Sequence, residues 1–172
     1  MNPIKIRQAT AADAELVADM SRRAFFATFG PMNTKEDIEK YMSVQFSREL
    51  LMDEVGAPGN IFLLAYLQDE PVGIVKLKEN SIETGLDAQN PIEIARFYAM
   101  PEMVGKGVGK AMMQYCIAFA KERGNDALWL GVWEQNQRAI AFYTAFGYEK
   151  FGEHGFLLGD DMQNDWVMLK RV

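Results

Sequence analysis

Residues Ile92 to Met113 read IEIARFYAMPEMVGKGVGKAMM, and their succession decides the fold. An apolar run with strand character covers Ile92 to Tyr98 and breaks at Met100-Pro101. The chain then passes through Val104-Gly105-Lys106-Gly107-Val108-Gly109 and continues as a helical pattern. Glycines let a backbone approach a ligand closely, and the first N–H groups of a helix have no partner within it. The helix dipole adds partial positive charge at the same place. The spacing therefore predicts a phosphate-bearing ligand at Gly105 to Lys110. The competing reading is a tight turn that packs a helix against a strand.

Two familiar phosphate fingerprints fail here. A dinucleotide motif G-x-G-x-x-G would need glycine where Lys110 stands. A P-loop ending at Gly109-Lys110 would need glycine at Val104 and a hydroxyl residue at Ala111. A bare GxGxG remains, a weak signal by itself.

A second stretch sharpens the reading. Leu128-Trp-Leu-Gly-Val-Trp133 is another apolar strand, followed by a helical segment containing Asn136, Ala139, Phe142, Tyr143, Gly147 and Tyr148. The pair of segments, VGKGVG opening a helix and N-x-x-A-x-x-F-Y-x-x-x-G-Y on the next one, resembles the GNAT superfamily of acetyl-CoA-dependent N-acetyltransferases. The likeness extends over nearly the whole chain. One departure is Val104, where that family usually has Gln or Arg. Because backbone N–H groups do most of the holding there, Val104 should weaken the site rather than abolish it.

The rest of the chain supplies the remaining elements. Ile4 to Gln8 alternates as a strand, and Thr10 with Asp13 forms a capping box before a helix through Leu16, Val17, Met20, Ala24 and Phe25. Thr34 and Ser47 cap two further helical pieces, and Ile61–Leu67 with Val72–Leu77 reads as a hairpin. The helix after the glycine turn is expected from Lys110 to Arg123, and the later one from about Gln135 to Phe146. Tyr148–Glu153 and Asn164–Lys170 read as two closing strands separated by a loop. The order β-α-α-(α)-β-β-β-α-β-α-β-β predicts an α/β (α+β) mixed sheet flanked by helices, one domain over residues 1–172. The resemblance adds that its central strands splay.

Composition bounds the function. With 49% apolar and 24% charged residues, the 172-residue chain is globular in character. No apolar run approaches the roughly 18 residues that span a bilayer, and MNPIKIRQAT lacks a signal-peptide pattern, so a cytoplasmic protein without a membrane partner is expected. Net charge of −6 without a Lys/Arg cluster argues against nucleic acid and is compatible with a cationic substrate. One histidine and one cysteine make no zinc set, so no metal is expected, and Cys116 reads as core filler. The acidic Glu36, Asp37 and Glu39 are most simply a solvated first helical turn, with a cationic-substrate lining as the alternative. A homodimer is compatible with all of this.

Acetyl transfer to an amine needs a polarised thioester, an acceptor that loses a proton and a thiolate that gains one. Tyr143 reads by periodicity as a core aromatic; the resemblance implies a general acid, and a phenol of pKa about 10 is protonated at neutral pH. Asn136 reads as a helix cap and, by the resemblance, as a contact to the pantetheine arm. Glu93, a carboxylate in an apolar strand, is costly to bury unless paired. It is either an outward-facing residue or, as the resemblance implies, the catalytic base, with His154 the alternative. The resemblance also implies that the backbone of Phe97 and Tyr98 pairs with pantetheine. Val104, Gly105, Lys106, Gly107, Val108, Gly109 and Lys110 would hold the diphosphate of acetyl-CoA. The runs LWLGVWEQNQRAIAFYTAFGY and FLLGDDMQND look similar to bacterial spermidine/spermine N-acetyltransferases, which implies a small amine acceptor such as a polyamine. A peptide α-amine acetyltransferase and a non-catalytic acyl-CoA-binding module are the alternatives.

Overall fold

Local chemistry places each element in the computed structural model, which describes residues 3–172. Strand β1 spans Ile4–Gln8 and leads to a capped turn in which the Asp13 carboxylate accepts the Thr10 N–H at 2.8 Å. The Arg7 guanidinium clamps the same carboxylate at 2.8 and 2.9 Å. Helices α1 (Ala14–Phe29), α2 (Lys35–Val44) and α3 (Arg48–Asp53) follow. Thr34 Oγ1 accepts the Asp37 N–H and Ser47 Oγ accepts the Leu50 N–H, so each cap satisfies a donor that the helix cannot. Strands β2 (Asn60–Leu67), β3 (Glu70–Glu79) and β4 (Pro91–Ala99) come next. Helix α4 (Val108–Glu122), strand β5 (Ala127–Trp133) and helix α5 (Gln137–Ala145) lead into the hairpin β6 (Glu149–Leu158) and β7 (Asp161–Arg171).

The seven strands form one mixed sheet in the order β1-β2-β3-β4-β5-β7-β6. Every pairing is antiparallel except β4–β5, which is parallel. That parallel ladder has three rungs, Pro91↔Ala127, Ile92↔Leu128 and Glu93↔Trp129, and then the strands part. On its other edge β4 stays paired with β3, but the register slips between Lys76↔Arg96 and Leu77↔Ile94. Ala95 is therefore a bulge, and a bulge bends its strand.

Helices α4 and α5 cover one face of the sheet, where Ile92, Ile94, Met112, Met113, Cys116, Leu128 and Tyr148 form the main core. Helix α4 comes so near β3 that a Cβ on Gly73 would lie 2.6 Å from Met112 Sδ. Burial pushes the Cys116 thiol up to about 12. On the opposite face α1 packs Val17, Met20 and Ala24 against Phe62, Leu64 and Ile74. A third cluster joins α1–α3 to the hairpin through Phe25, Ile38, Phe46, Leu51 and Leu158. Each such large side chain, fully buried, contributes roughly 1.5–3 kcal/mol.

Two expectations needed correction. Helix α4 starts at Val108 rather than Lys110, because Gly107 caps it from the left-handed region. The closing hairpin has no long loop: β6 and β7 pair through His154↔Asp165 to Leu158↔Asp161, leaving a turn at Gly159-Asp160. Glycines and polar residues there disguised strands that tertiary packing holds. Phe156 stacks edge-on against Tyr41, and the Asp160 N–H donates to Asp37 at 2.8 Å. Asp37 thus latches α2 to the hairpin tip, and Glu39 pairs with Lys35. Neither is among the residues that line the cleft described below.

The Arg7 hydrogen bond holds the Asp13 carboxyl well below the usual carboxylate range. A lowered folded-state value stabilises above the unfolded pKa of about 3.9 and is lost as pH falls through the folded value. Asp13→Ala should therefore cost about 1 kcal/mol at neutral pH. The gap to the wild type should narrow below about pH 4 in paired thermal melts.

Candidate active site

The parting of β4 and β5 opens a cleft of about 1110 Å³ that crosses the sheet. One wall is Ile94–Ala99 of β4, the other Gly131–Trp133 of β5 with Asn136, Phe142 and Tyr143 beyond it. Beyond Glu93, the edge of β4 that faces β5 makes no ladder pair. Successive strand residues turn their N–H and C=O groups to opposite edges. The Met100 N–H donates to Val72 O of β3 at 2.9 Å, so, counting back, Tyr98 turns its groups to β3 and Phe97 turns its own to the opening, which corrects the expectation for Tyr98. Buried backbone groups need partners, so this edge suits a ligand with amides of its own.

At the α4 end the backbone forms a cradle. Gly105 and Gly107 have φ of +80° and +86°, where a side chain is strained, and a Cβ on either would meet nothing within 4 Å. Ala111 donates to Gly107 O at 3.0 Å, the first bond of the helix, so the N–H groups of Val108, Gly109 and Lys110 precede the helical ladder. Val104, Gly105, Gly107, Gly109 and Lys110 all line the cleft. Val108 offers only its N–H, since its side chain is in the core. The Lys106 N–H is already bonded to Met103 O at 3.1 Å, and its exposed side chain is not part of the lining.

On α5, Asn136 is the cap, its Oδ1 accepting the Ala139 N–H at 3.2 Å. It also lines the cleft, so its Nδ2 remains to donate there. About two turns on, Tyr143 is 8% exposed yet reaches the cleft. Phe97, Phe142 and Tyr148 surround its ring with centroids 6.2, 5.5 and 5.8 Å away. Burial raises its pKa above that of a free phenol, so it holds its proton firmly.

Glu93 stands elsewhere. Its carboxylate accepts the Ser81 hydroxyl at the closed end of the β4–β5 ladder, where Trp129 Nε1 donates to Ser81 O at 3.2 Å. It is not among the residues that line the cleft. His154, expected after a strand, lies within β6.

The far side of the cleft holds groups that sequence reasoning missed. Phe25, Phe29, Tyr41, Phe46, Trp133 and Phe156 make an aromatic wall that contains one carboxylate, Asp165. Burial raises the Asp165 pKa, with His154 opposing the rise. On β4, Arg96 stacks over Phe46 at 4.9 Å and pairs with Glu54, which also holds Lys76 at 3.1 Å. Burial pushes the Glu54 pKa up, but the two cations outweigh it and the net shift is downward. A charge inside each apolar run, Lys76 in VGIVKL and Arg96 in IEIARFY, was the available signal.

The profile of the Acetyltransferase (GNAT) family matches residues 20–148. The chain belongs to this family. An uncharacterized N-acetyltransferase of Lactobacillus delbrueckii subsp. lactis is 33% identical over 172 residues, covering 100% of this chain and 99% of that protein. A spermidine N(1)-acetyltransferase of the archaeon Thermoplasma acidophilum is 26% identical over 98% of this chain and 97% of its own. Among solved structures, the PaiA N-acetyltransferase of Thermoplasma acidophilum superposes with a TM-score of 0.75 at 24% identity, covering 99% of each chain. This GNAT enzyme is thus an N-acetyltransferase with acetyl-CoA as its co-substrate. The cradle fits that group: two left-handed glycines, open space above them and helix N–H groups facing it. Among the described residues no group of three metal-ligating side chains comes together, and no helix is long and apolar enough to cross a membrane.

Gly107→Val tests the cradle. The left-handed backbone should cost about 1–2 kcal/mol of stability, and the new side chain should project into the cleft. Calorimetric titration should show coenzyme A binding weakened by roughly tenfold or more. Wild-type affinity would contradict the cradle.

Proposed function

We propose that this GNAT enzyme acetylates a small primary amine, a polyamine such as spermidine or spermine, with Tyr143 as general acid. The observation that carries the reading is the two-sided cleft: amide-donating backbone and a protonated phenol on one side, aromatics with a single carboxylate on the other. The Gly105–Lys110 turn would hold the diphosphate, assisted by the Lys110 ammonium. Asn136 Nδ2 and the free edge of β4 at Phe97 would hold the pantetheine amides. Acetyl-CoA, when bound, supplies an activated acyl group in the form of a thioester. Tyr143 would give its proton to the departing sulfur and regain one from the N–H that the acceptor nitrogen loses as the amide forms; its raised pKa keeps the proton in place until a strongly basic thiolate develops.

The far side favours a cation. Aromatic faces attract ammonium groups, by about 0.5–2 kcal/mol each depending on desolvation, and Asp165 adds a charge. Beside this wall lies a second pocket of about 430 Å³ that shares Met32, Trp133 and Gln135 with the cleft and carries Glu134 and Asp161. An extended polyamine could place one amine in the cleft and another against these carboxylates. The Thermoplasma relative named for spermidine acetylation supports the same acceptor class, and the PaiA structure of that organism was solved with coenzyme A.

A panel of spermidine, spermine, simple monoamines and peptide α-amines, read by release of free coenzyme A thiol, tests the acceptor. The polyamines should have the highest kcat/KM, and turnover confined to peptides would overturn the polyamine assignment. Tyr143→Phe should lower kcat by roughly a hundredfold while leaving coenzyme A affinity near the wild-type value. Unchanged kcat would remove Tyr143 from its role.

A further inference from the structure

An alkylammonium of pKa about 10 is neutral in only about one molecule in 10³ at pH 7. An enzyme that uses such acceptors needs a group in its cleft to take the surplus proton and a route by which that proton leaves. Glu93 is not positioned for this, because its carboxylate is turned to Ser81. A different set of residues is.

On the aromatic side, the β5–β7 and β6–β7 ladders bring Trp133, Asp165 and His154 into register. His154 sits between two carboxylates. Its Nδ1 is 2.8 Å from Glu83 Oε2, and its Nε2 is 3.5 Å from Asp165 Oδ2. In the neutral tautomer with the proton on Nδ1, that nitrogen donates to Glu83 and Nε2 is the acceptor toward Asp165. The second distance is at the outer limit and needs only a small side-chain shift to close. Exposure places the chain of groups: the Asp165 side chain is 16% exposed and lines the cleft, whereas His154 is 35% exposed. Gly131 makes the arrangement sterically feasible, since a Cβ there would come within 3.2 Å of His154 Nε2 and 3.4 Å of Asp165 Oδ2.

We propose that Asp165 takes the proton from the acceptor ammonium and that His154, held by Glu83, conducts it to solvent. This rests on the amine-acceptor reading above. The N–H bond that breaks is on the acceptor, and the O–H bond that forms is on Asp165. Asp165 then protonates His154 Nε2 while the Nδ1 proton leaves through Glu83 to water. The relay returns to its starting charges after a tautomer reset, and one proton reaches solvent per acetyl group transferred.

The surroundings of Asp165 suit a base. The groups facing it are His154 from β6, Glu134 at the end of β5, Tyr41 from α2 and Tyr98 from β4. Phe25 and Phe29 from α1 are apolar. The nearest cation on β4, Arg96, is engaged by Glu54. Burial among these groups raises the proton affinity of Asp165, which favours proton abstraction over an exposed carboxylate.

The test is the pH dependence of kcat/KM for spermidine in wild type, Asp165→Asn and His154→Gln, with coenzyme A titrations and thermal melts confirming that each variant is folded. Asp165→Asn should be slower by roughly a hundredfold at pH 7. The deficit should shrink to a few-fold near pH 10, where the acceptor loses its proton unaided. His154→Gln should show a smaller deficit that closes in the same way, and it carries the test if Asp165→Asn does not fold. A deficit that stays constant with pH, or no deficit at all, overturns the relay while leaving the acetyltransferase reading intact. No turnover of any amine by the wild type overturns both.

Discussion

A strand in the middle of a sheet cannot leave its backbone unpaired without cost, and this fold depends on doing so. After three shared rungs, β4 and β5 separate. Each buried N–H or C=O stranded by the separation would cost about 1–3 kcal/mol if nothing met it. Two features keep the gap open. The Ala95 bulge bends β4 while β3 holds its other edge, and β5 keeps seven consecutive pairs with β7. Helices α4 and α5 begin at the margins of the same gap, so that unpaired amides of strand and helix converge on one space. The site is therefore an interruption of the sheet, held apart by the strands on either side.

The sequence disclosed what depends on neighbours in the chain. The Asn136 cap and the position of Tyr143 follow from local spacing, as does the glycine turn, except that its last two residues, Val108 and Gly109, already belong to α4. It could not disclose what depends on residues far apart. Glu93 was identified as a carboxylate needing a partner, but periodicity cannot say that the partner is Ser81 on a connecting loop. Asp165 stood in an expected strand, but His154 and the stretch up to Gln163 looked like loop, because Gly152, Gly155 and a run of polar residues weaken the two-residue alternation, so the pairing of the two residues could not be read. Nothing in the local pattern around Glu54, just after a short helix, marks it as the acid that the fold sets between Lys76 and Arg96.

Two half-buried carboxylates on this face of the sheet have opposite fates, and the difference is in their company. Glu54 meets a guanidinium and an ammonium, so its charge is neutralised in place and the ion cluster braces the bulged strand. Asp165 meets one imidazole and several phenol or phenyl rings, which offset little of its desolvation. A carboxylate compensated by guanidinium is a poor base; one left short of compensation is a better one. The fold thus separates bracing from proton affinity by controlling how many cations reach each acid.

Every turnover of this enzyme liberates a small free thiol beside a protein that has one sulfhydryl of its own. Cys116 lies fully inside the core under α4, and its ionisation is suppressed. Disulfide exchange requires a thiolate and a path to it, and Cys116 provides neither. The catalyst is thereby insulated from its own product: released coenzyme A, even once oxidised, has no sulfur on the folded protein with which to form a mixed disulfide.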